Sequence, residues 1–295
     1  TTEGTYTESV TVSQDGKYNI TLWAEDNAGN TNTTTIFVTV DTTPPTITIS
    51  SPADSSYHNT STITVTWSGS DATTGIDHYE IYVDGGYVDT VPAGTTSYTL
   101  DLAEGQHTIK IVAYDGADNS NYDQITITID LTVPDITITN PEDGSTIVTQ
   151  AGTADVTVNW TGMDNFGIDH YEVRLDGGSW INVGTSTSYT FTSVGEGTHT
   201  VDVIAYDLAG NTNISSVTFT ITSFTITSPT EDPSTGEAYT SSDSVVISWI
   251  NQSNVDHFEV IIGSGTPINV GTSTCYVVSG LSEGTHNITV VVYYN

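Results

Sequence analysis

Base is nearly missing from this chain. Of 295 residues only three, Lys17, Lys110 and Arg174, carry a fixed positive charge, against 36 Asp and Glu, for a formal net charge of −33. Charged residues make up 13% of the chain, so the imbalance reflects scarce base and not abundant acid. Three cations cannot neutralise a row of phosphates, which excludes DNA, RNA and an anionic membrane face and makes cations the complementary partners. Cysteine is equally scarce: Cys275 stands alone, so there is no internal disulfide framework. No stretch approaches the roughly 18–20 apolar residues of a membrane span, and residues 1–20 lack the charged-then-apolar layout of a signal peptide. This segment is therefore expected to insert in no membrane, with any export signal or anchor lying outside it. Sustained helical spacing is also missing.

What is present repeats. Trp67, Trp160 and Trp249 end the runs ITVTW, VTVNW and VVISW, 93 and 89 residues apart. IDHYE at 76–80 and 168–172 and VDHFE at 255–259 keep step with them, as do EDNAGN at 25–30, YDGADN at 114–119 and YDLAGN at 206–211. The unit is about ninety residues, and such a period has to be recognised before any site is read. Within it the apolar period is two, as in TITVTW, HYEIYV and QITITID, broken by turn residues such as Asp84-Gly85-Gly86 and Asp176-Gly177-Gly178. Alternating β-branched and polar residues predict half-buried antiparallel strands, roughly seven per unit, the rhythm of a β-sandwich of immunoglobulin type. The expected fold is all-β, and 36% apolar content is enough for the chain to fold.

The Trp on the second strand, Tyr79-Glu80-Ile81 and Tyr171-Glu172-Val173 on the third, and the Ala-x-Asp-x-Ala-Gly-Asn phrase resemble fibronectin type III and bacterial or archaeal Ig-like repeats. The family's Tyr before the sixth strand stands here as Tyr18 but as His107, His199 and His286 elsewhere, so its corner hydrogen bond is expected to be made differently. The resemblance implies fold and not activity, in the setting of extracellular stalks, adhesins, S-layers and filaments, or accessory modules of secreted hydrolases.

Aligning the repeats predicts a partial Ig-like domain at 1–41 with the last three strands only, Ig-like domains at 42–131 and 132–222, and one at 223–295 lacking its final strand. The junctions Val40 to Pro45, Ile129 to Pro134 and Ile221 to Phe224 are short, two contain Pro, and none is a Gly/Ser tether, which predicts a semi-rigid, rod-like array. The ends read as cuts in a longer array; the alternative, strand donation from a neighbour, fits poorly because the head brings strands the tail already has. Unpaired sheet edges there are prone to association.

Asp-x-Ala-Gly-Asn has a plain role as a turn, with Gly29 and Gly210 supplying positive φ. In an Ig-like sandwich, however, that hairpin lies beside the loop after the Trp strand and the incoming linker. This places Asp115 and Asp118 near Asp71 and Asp41, and Asp207 near Asp164, Asp130 and Asp135. Clustered carboxylate and carbonyl oxygens suit Ca²⁺, which takes six to eight oxygen ligands. Calcium is therefore expected at the first two junctions and not at the third, whose linker has no acid.

His78, His170 and His257 share one repeat position, and His107, His199 and His286 another, which marks them as structural. Neither His-x-x-x-His nor Gly-x-Ser-x-Gly occurs, and no catalytic constellation is found. Glu104, Glu196 and Glu283 recur in one turn and read as a solvated rim, although paired acids are what glycoside chemistry asks for. Trp67, Trp160 and Trp249 read as core; Trp180, Tyr82 and Tyr87 are expected on the surface, where they could stack on sugars. Lys110, flanked by Ile109 and Ile111, points outward, which argues against a buried isopeptide crosslink. Cys275 is expected outside as a lone thiol. With 56 threonines the chain supplies seven Asn-x-Ser/Thr sequons, at Asn19, Asn32, Asn59, Asn159, Asn213, Asn251 and Asn287, candidate glycan sites on an exported protein.

These readings converge on a non-enzymatic component of a cell-surface assembly, a filament, sheath or surface layer, that joins copies of itself or other surface proteins. An adhesin stalk and an accessory carbohydrate-binding region of a secreted hydrolase are the alternatives.

Overall fold

The computed structural model describes residues 7–149, 152–229, 238–250 and 255–294. It is all-β among these residues, as the alternating pattern requires. β1 (Gly16–Glu25) and β2 (Thr31–Val40) pair antiparallel over ten residues around the first Asp-x-Ala-Gly-Asn turn. Among the described residues neither face of this hairpin is covered, and Leu22, Trp23, Ile36 and Phe37 are exposed.

The next eight strands form a sandwich: β3 (Thr46–Ser51), β4 (Ser56–His58), β5 (Thr62–Ser70), β6 (Ile76–Val83), β7 (Gly86–Pro92), β8 (Ser97–Asp101), β9 (Gly105–Asp115) and β10 (Ser120–Ile129). One sheet runs β3-β5-β8 and the other β4-β10-β9-β6-β7. A second set repeats it: β11 (Asp135–Asn140), β12 (Ser145–Thr149), β13 (Thr153–Met163), β14 (Ile168–Leu175), β15 (Ile181–Gly184), β16 (Ser188–Gly195), β17 (Gly197–Asp207) and β18 (Thr212–Ser223), in sheets β11-β13-β16 and β12-β18-β17-β14-β15. Each set has eight strands where period counting gives about seven. The extra one arises because the first strand stops at a buried proline, Pro52 or Pro141, which has no N–H for the ladder. The chain then crosses and pairs parallel with the last strand, Ser56–His58 on β10 and Ser145–Thr149 on β18. The last strands are β19 (Ile226–Ser228), β20 (Ser244–Trp249), β21 (Val255–Ile262), β22 (Ile268–Gly271), β23 (Cys275–Ser279) and β24 (Ile288–Tyr294), in sheets β19-β20-β23 and β22-β21-β24.

Inward positions fill the cores. Ile63, Val65 and Trp67 of β5 face Tyr79 and Ile81 of β6 and Ile109, Ile111 and Ala113 of β9. Trp160 and Trp249 are equally buried, and each Trp meets an aromatic ring of the facing sheet edge-on or tilted: Tyr79 at 5.6 Å, Tyr171 at 5.8 Å and Phe258 at 5.4 Å between centroids. Such pairs add roughly 0.5–1.5 kcal/mol beyond the area they bury.

The chain divides into two compact units. One comprises residues up to Asp135 with Met163–Asp169 and Tyr206–Asn213; the other comprises Ile136–Gly162, His170–Ala205 and the chain from Ile214 onward. The loops 163–169 and 206–213 thus gather with the linker that precedes β11.

Candidate functional site

The hairpin phrases are built alike. Oδ1 of Asp26, Asp115 and Asp207 accepts from the backbone N–H groups two and four residues on, at 2.8–3.0 Å. Its Oδ2 accepts the side-chain amide of Asn30, Asn119 or Asn211 at 2.8 Å. Gly29 and Gly210 take φ of 81° and 85°. Asp118 occupies the same place at φ 66°, a left-handed conformation that Asp tolerates, and is exposed.

Asparagine amides carry the hairpins onto the linkers. Asn119 Nδ2 also donates to the carbonyl of Asp41 at 3.1 Å, and Asn121 to that of Pro45 at 3.1 Å. One repeat later Asn211 donates to Asp130 and Thr132, at 2.9 and 3.2 Å, and Asn213 to Pro134 at 2.9 Å. The turn acids before β1 and β9 join in. Asp15 accepts from the Thr42 and Thr43 hydroxyls at 2.9 and 2.6 Å, and Glu104 from the Thr132 hydroxyl at 2.8 Å and Asn165 Nδ2 at 2.6 Å. Glu104 is exposed, as a rim acid is expected to be, and is also a linker contact. The signal was its alignment with Asp15, both immediately before a Gly.

Two acid groups result. Asp41, Asp71 and Asp115 each bring a carboxylate oxygen within 4.8 Å of the others, and so do Asp130, Asp164 and Asp207. The expected Asp118 and Asp135 stand outside them, both exposed. In the first group Asp41 Oδ2 accepts from both the Thr74 hydroxyl at 2.5 Å and the Thr74 N–H at 3.2 Å. Asp71 Oδ1 accepts from the N–H groups of Thr73, Thr74 and Gly75, each at 2.9 Å. Burial works to raise the Asp71 carboxyl, but these amides outweigh it and hold it below the ordinary 3.8. In the second group Asp130 is 0% exposed, and its Oδ1 accepts from the Thr132 N–H at 3.2 Å. Oδ2 of Asp130 and Oδ2 of Asp164 are buried with no hydrogen-bond partner among the described residues. Burial, with the charges of Asp164, Asp207 and Glu104 added, pushes the Asp130 carboxyl up to about 6 against the Thr132 N–H.

Five histidines make structural contacts, of two kinds. His78 and His257 stack on Tyr114 and Tyr293 at 4.6 and 4.4 Å. Where Tyr18 donates its hydroxyl to the Gln14 carbonyl at 2.6 Å, Nε2 of His107, His199 and His286 faces the carbonyl of Ala103, Gly195 or Ser282 at 2.7–2.9 Å. Imidazole thus replaces phenol at the corner.

The aromatics expected to receive sugars are partly covered by the chain's few cations. Arg174 lies 4.3 Å over the Trp180 ring, and Lys110 lies 5.6 Å from Tyr82 and 4.3 Å from Tyr122. Tyr82 donates its hydroxyl to Glu80 at 2.7 Å; Tyr87 is exposed. Cys275 is exposed. Of the sequons, Asn19, Asn32, Asn59 and Asn287 are exposed, Asn159 and Asn213 are half-buried, and Asn251 lies outside the described residues.

A three-stranded sheet facing a five-stranded one in this order, repeated along the chain with Trp against Tyr at its centre, defines tandem immunoglobulin-like, fibronectin type III-like sandwiches. Residues 45–111 and 134–203 match the family model of the bacterial Ig domain, one match in each eight-stranded sandwich. The chain is 30% identical over 149 residues to halomucin of Haloquadratum walsbyi, covering 48% of this chain and 2% of that protein. It is 29% identical over 182 residues to chitinase A1 of Niallia circulans, covering 60% and 26%. It thus spans a small part of these relatives. The fibronectin(III)-like modules of Clostridium thermocellum CbhA superpose with a TM-score of 0.43 at 20% identity, covering 60% of this chain and 95% of that one.

Proposed function

We propose that this chain is a segment of a non-enzymatic, extracellular protein and serves as a structural component of a cell-surface assembly such as a filament, sheath or surface layer. The observation that carries this reading is the repeated linker tether: Asn119 with Asn121, and Asn211 with Asn213, give their amides to linker carbonyls. Side-chain chemistry that recurs from repeat to repeat and is consumed in holding linkers suits spacing and assembly. Similarity to the bacterial Ig family and to halomucin supports the extracellular placement. Electron microscopy of the native cell surface, with this segment labelled, tests it. A regular lattice or fibre is expected; scattered projections from a protein that is monomeric in solution would instead make it an adhesin stalk.

The similarity to chitinase A1 favours a second reading, an accessory region of a secreted polysaccharide hydrolase. Retention of the chain on chitin or another insoluble glycan, lost on Trp180→Ala, would establish that reading in place of the first.

A further inference from the structure

We propose that Asp130, Asp164 and Asp207 form a Ca²⁺-binding site, and that the equivalent group of Asp41, Asp71 and Asp115 is closed to the ion by Thr74. The two groups hold the same three acids from the same three places: linker, loop after the Trp strand, and hairpin. Their loops after the Trp strand differ in length by one residue and in the residue before the glycine. The first loop reads Asp71-Ala72-Thr73-Thr74-Gly75-Ile76 and the second Asp164-Asn165-Phe166-Gly167-Ile168, so that Phe166 stands where Thr74 does.

Thr74 does the work of a cation in the first group. Its hydroxyl donates to Asp41 Oδ2 at 2.5 Å and accepts from the Gly116 N–H at 3.1 Å, joining linker, loop and hairpin through one neutral side chain. The Phe166 side chain has no donor to offer; only its backbone N–H donates, to Asp164 Oδ1 at 2.9 Å. In the second group Oδ2 of Asp130, the counterpart of the Asp41 oxygen that Thr74 serves, is buried with nothing to bond among the described residues, and Oδ2 of Asp164 beside it is in the same state. A buried anionic oxygen without a partner is costly, and three acids so close repel one another. None of the chain's bases answers them: Arg174 pairs with Asp202, Lys110 lies over tyrosine rings, and Lys17 is exposed on β1.

The ligand chemistry follows from the donors. The oxygens lie within 4.8 Å of one another, about twice a Ca²⁺–O distance of roughly 2.3–2.6 Å, so one ion can touch all three. All are hard carboxylate oxygens without His nitrogen or Cys sulfur, which disfavours zinc and softer metals. Magnesium needs shorter bonds, roughly 2.0–2.1 Å, in a rigid octahedron and gives up its waters reluctantly. Calcium fits the wider spacing.

The test is calorimetric titration of the whole chain, stripped with EDTA, with CaCl₂ at constant ionic strength. One high-affinity ion per chain is expected, binding at least tenfold more tightly than Mg²⁺. Asp130→Asn should weaken Ca²⁺ at least tenfold, whereas Asp41→Asn should change it less than twofold. In EDTA the Asp130→Asn chain should melt no earlier than the parent, because it loses a repelling charge. Should it melt earlier, Asp164→Asn must show the same tenfold loss. Thr74→Ala should add a second, weaker ion. Absence of saturable Ca²⁺ binding, equal binding of Mg²⁺, or unchanged affinity in both second-group variants overturns the site. Loss of the tight ion in Asp41→Asn, or unchanged stoichiometry in Thr74→Ala, overturns the role given to Thr74.

Discussion

His199 is gripped by Asp176 from a neighbouring strand end: imidazole Nδ1 lies 2.8 Å from carboxylate Oδ2, while Nε2 faces the Gly195 carbonyl at 2.9 Å. Both ring nitrogens face acceptors, an arrangement only the imidazolium satisfies in full. His107 repeats it with Asp84 and Ala103. The third repeat keeps the carbonyl bond from His286 but has Gly263 where the acid would stand.

A pH dependence follows. Burial lowers the pKa of His107 and His199, but the bonds to their acids and to the corner carbonyls outweigh it and raise both above 6.5. Their stabilisation is therefore complete below about 6.5 and is lost as pH rises through the raised folded value. Asp84 and Asp176 are held below 3.8 by backbone and His bonds, despite burial acting to raise them. Their share is complete above 3.8 and is lost as pH falls through the lowered value. Melting temperature should decline from pH 6.5 into the alkaline range, and His107→Gln with His199→Gln should flatten that decline. An equal decline in the double variant would remove the corner histidines as its source.

Gly162 has no room for a side chain. A Cβ there would sit 2.5 Å from the Tyr171 hydroxyl and 2.7 Å from its ring, and Gly69 faces Tyr79 in the same way. Gly162→Ala should destabilise the second sandwich by about 1–3 kcal/mol in denaturant titration. Tyr171→Phe, which removes the hydroxyl but leaves the ring, should recover part of that loss in a double-mutant cycle. In the third repeat the hydroxyl is missing, as Phe258, and the aligned position is Asn251.

Arg174 joins a charge pair to an aromatic face. It donates to Asp202 at 2.7 Å while covering Trp180, and Ser216 donates to the other oxygen of Asp202 at 2.5 Å. Arg174→Ala leaves a largely buried carboxylate with only the serine, at an expected cost of about 1–3 kcal/mol. It also uncovers the indole, so Trp180 emission should shift to the red; an unchanged spectrum would show that the guanidinium does not cover the ring in solution.

Glycan occupancy should follow amide availability. Asn213 Nδ2, the atom that would carry the sugar, already donates to Pro134. In native material bearing N-glycans, peptide mass spectrometry should find them at the exposed Asn19, Asn32, Asn59 or Asn287 before Asn213. Full occupancy of Asn213 would mean that its linker tether is dispensable.

The sandwich strands, the three core tryptophans and the structural nature of the histidines were legible along the chain. The physics behind them is local: a period of two buries one face of a strand, and a ninety-residue repeat displays that pattern several times. The meeting of Asp41 with Asp71 and Asp115, and of Asp130 with Asp164 and Asp207, could be placed by aligning loops to one end of an Ig-like sandwich. Asp118 and Asp135 could not be separated from them, because membership depends on side-chain direction and not on position along a loop.

The sequence by itself determined the fold class, the repeat and the shortage of base, since each follows from composition and spacing. Tertiary structure decided how the acids are satisfied. Thr74 lies 33 residues from Asp41 and Asp176 lies 23 from His199, and a hydrogen bond depends on a few tenths of an ångström that no spacing rule conveys. The second loop is one residue shorter and has Phe166 in the place of Thr74, and only with the oxygens positioned does it show that Oδ2 of Asp130 is left without the donor that Asp41 has.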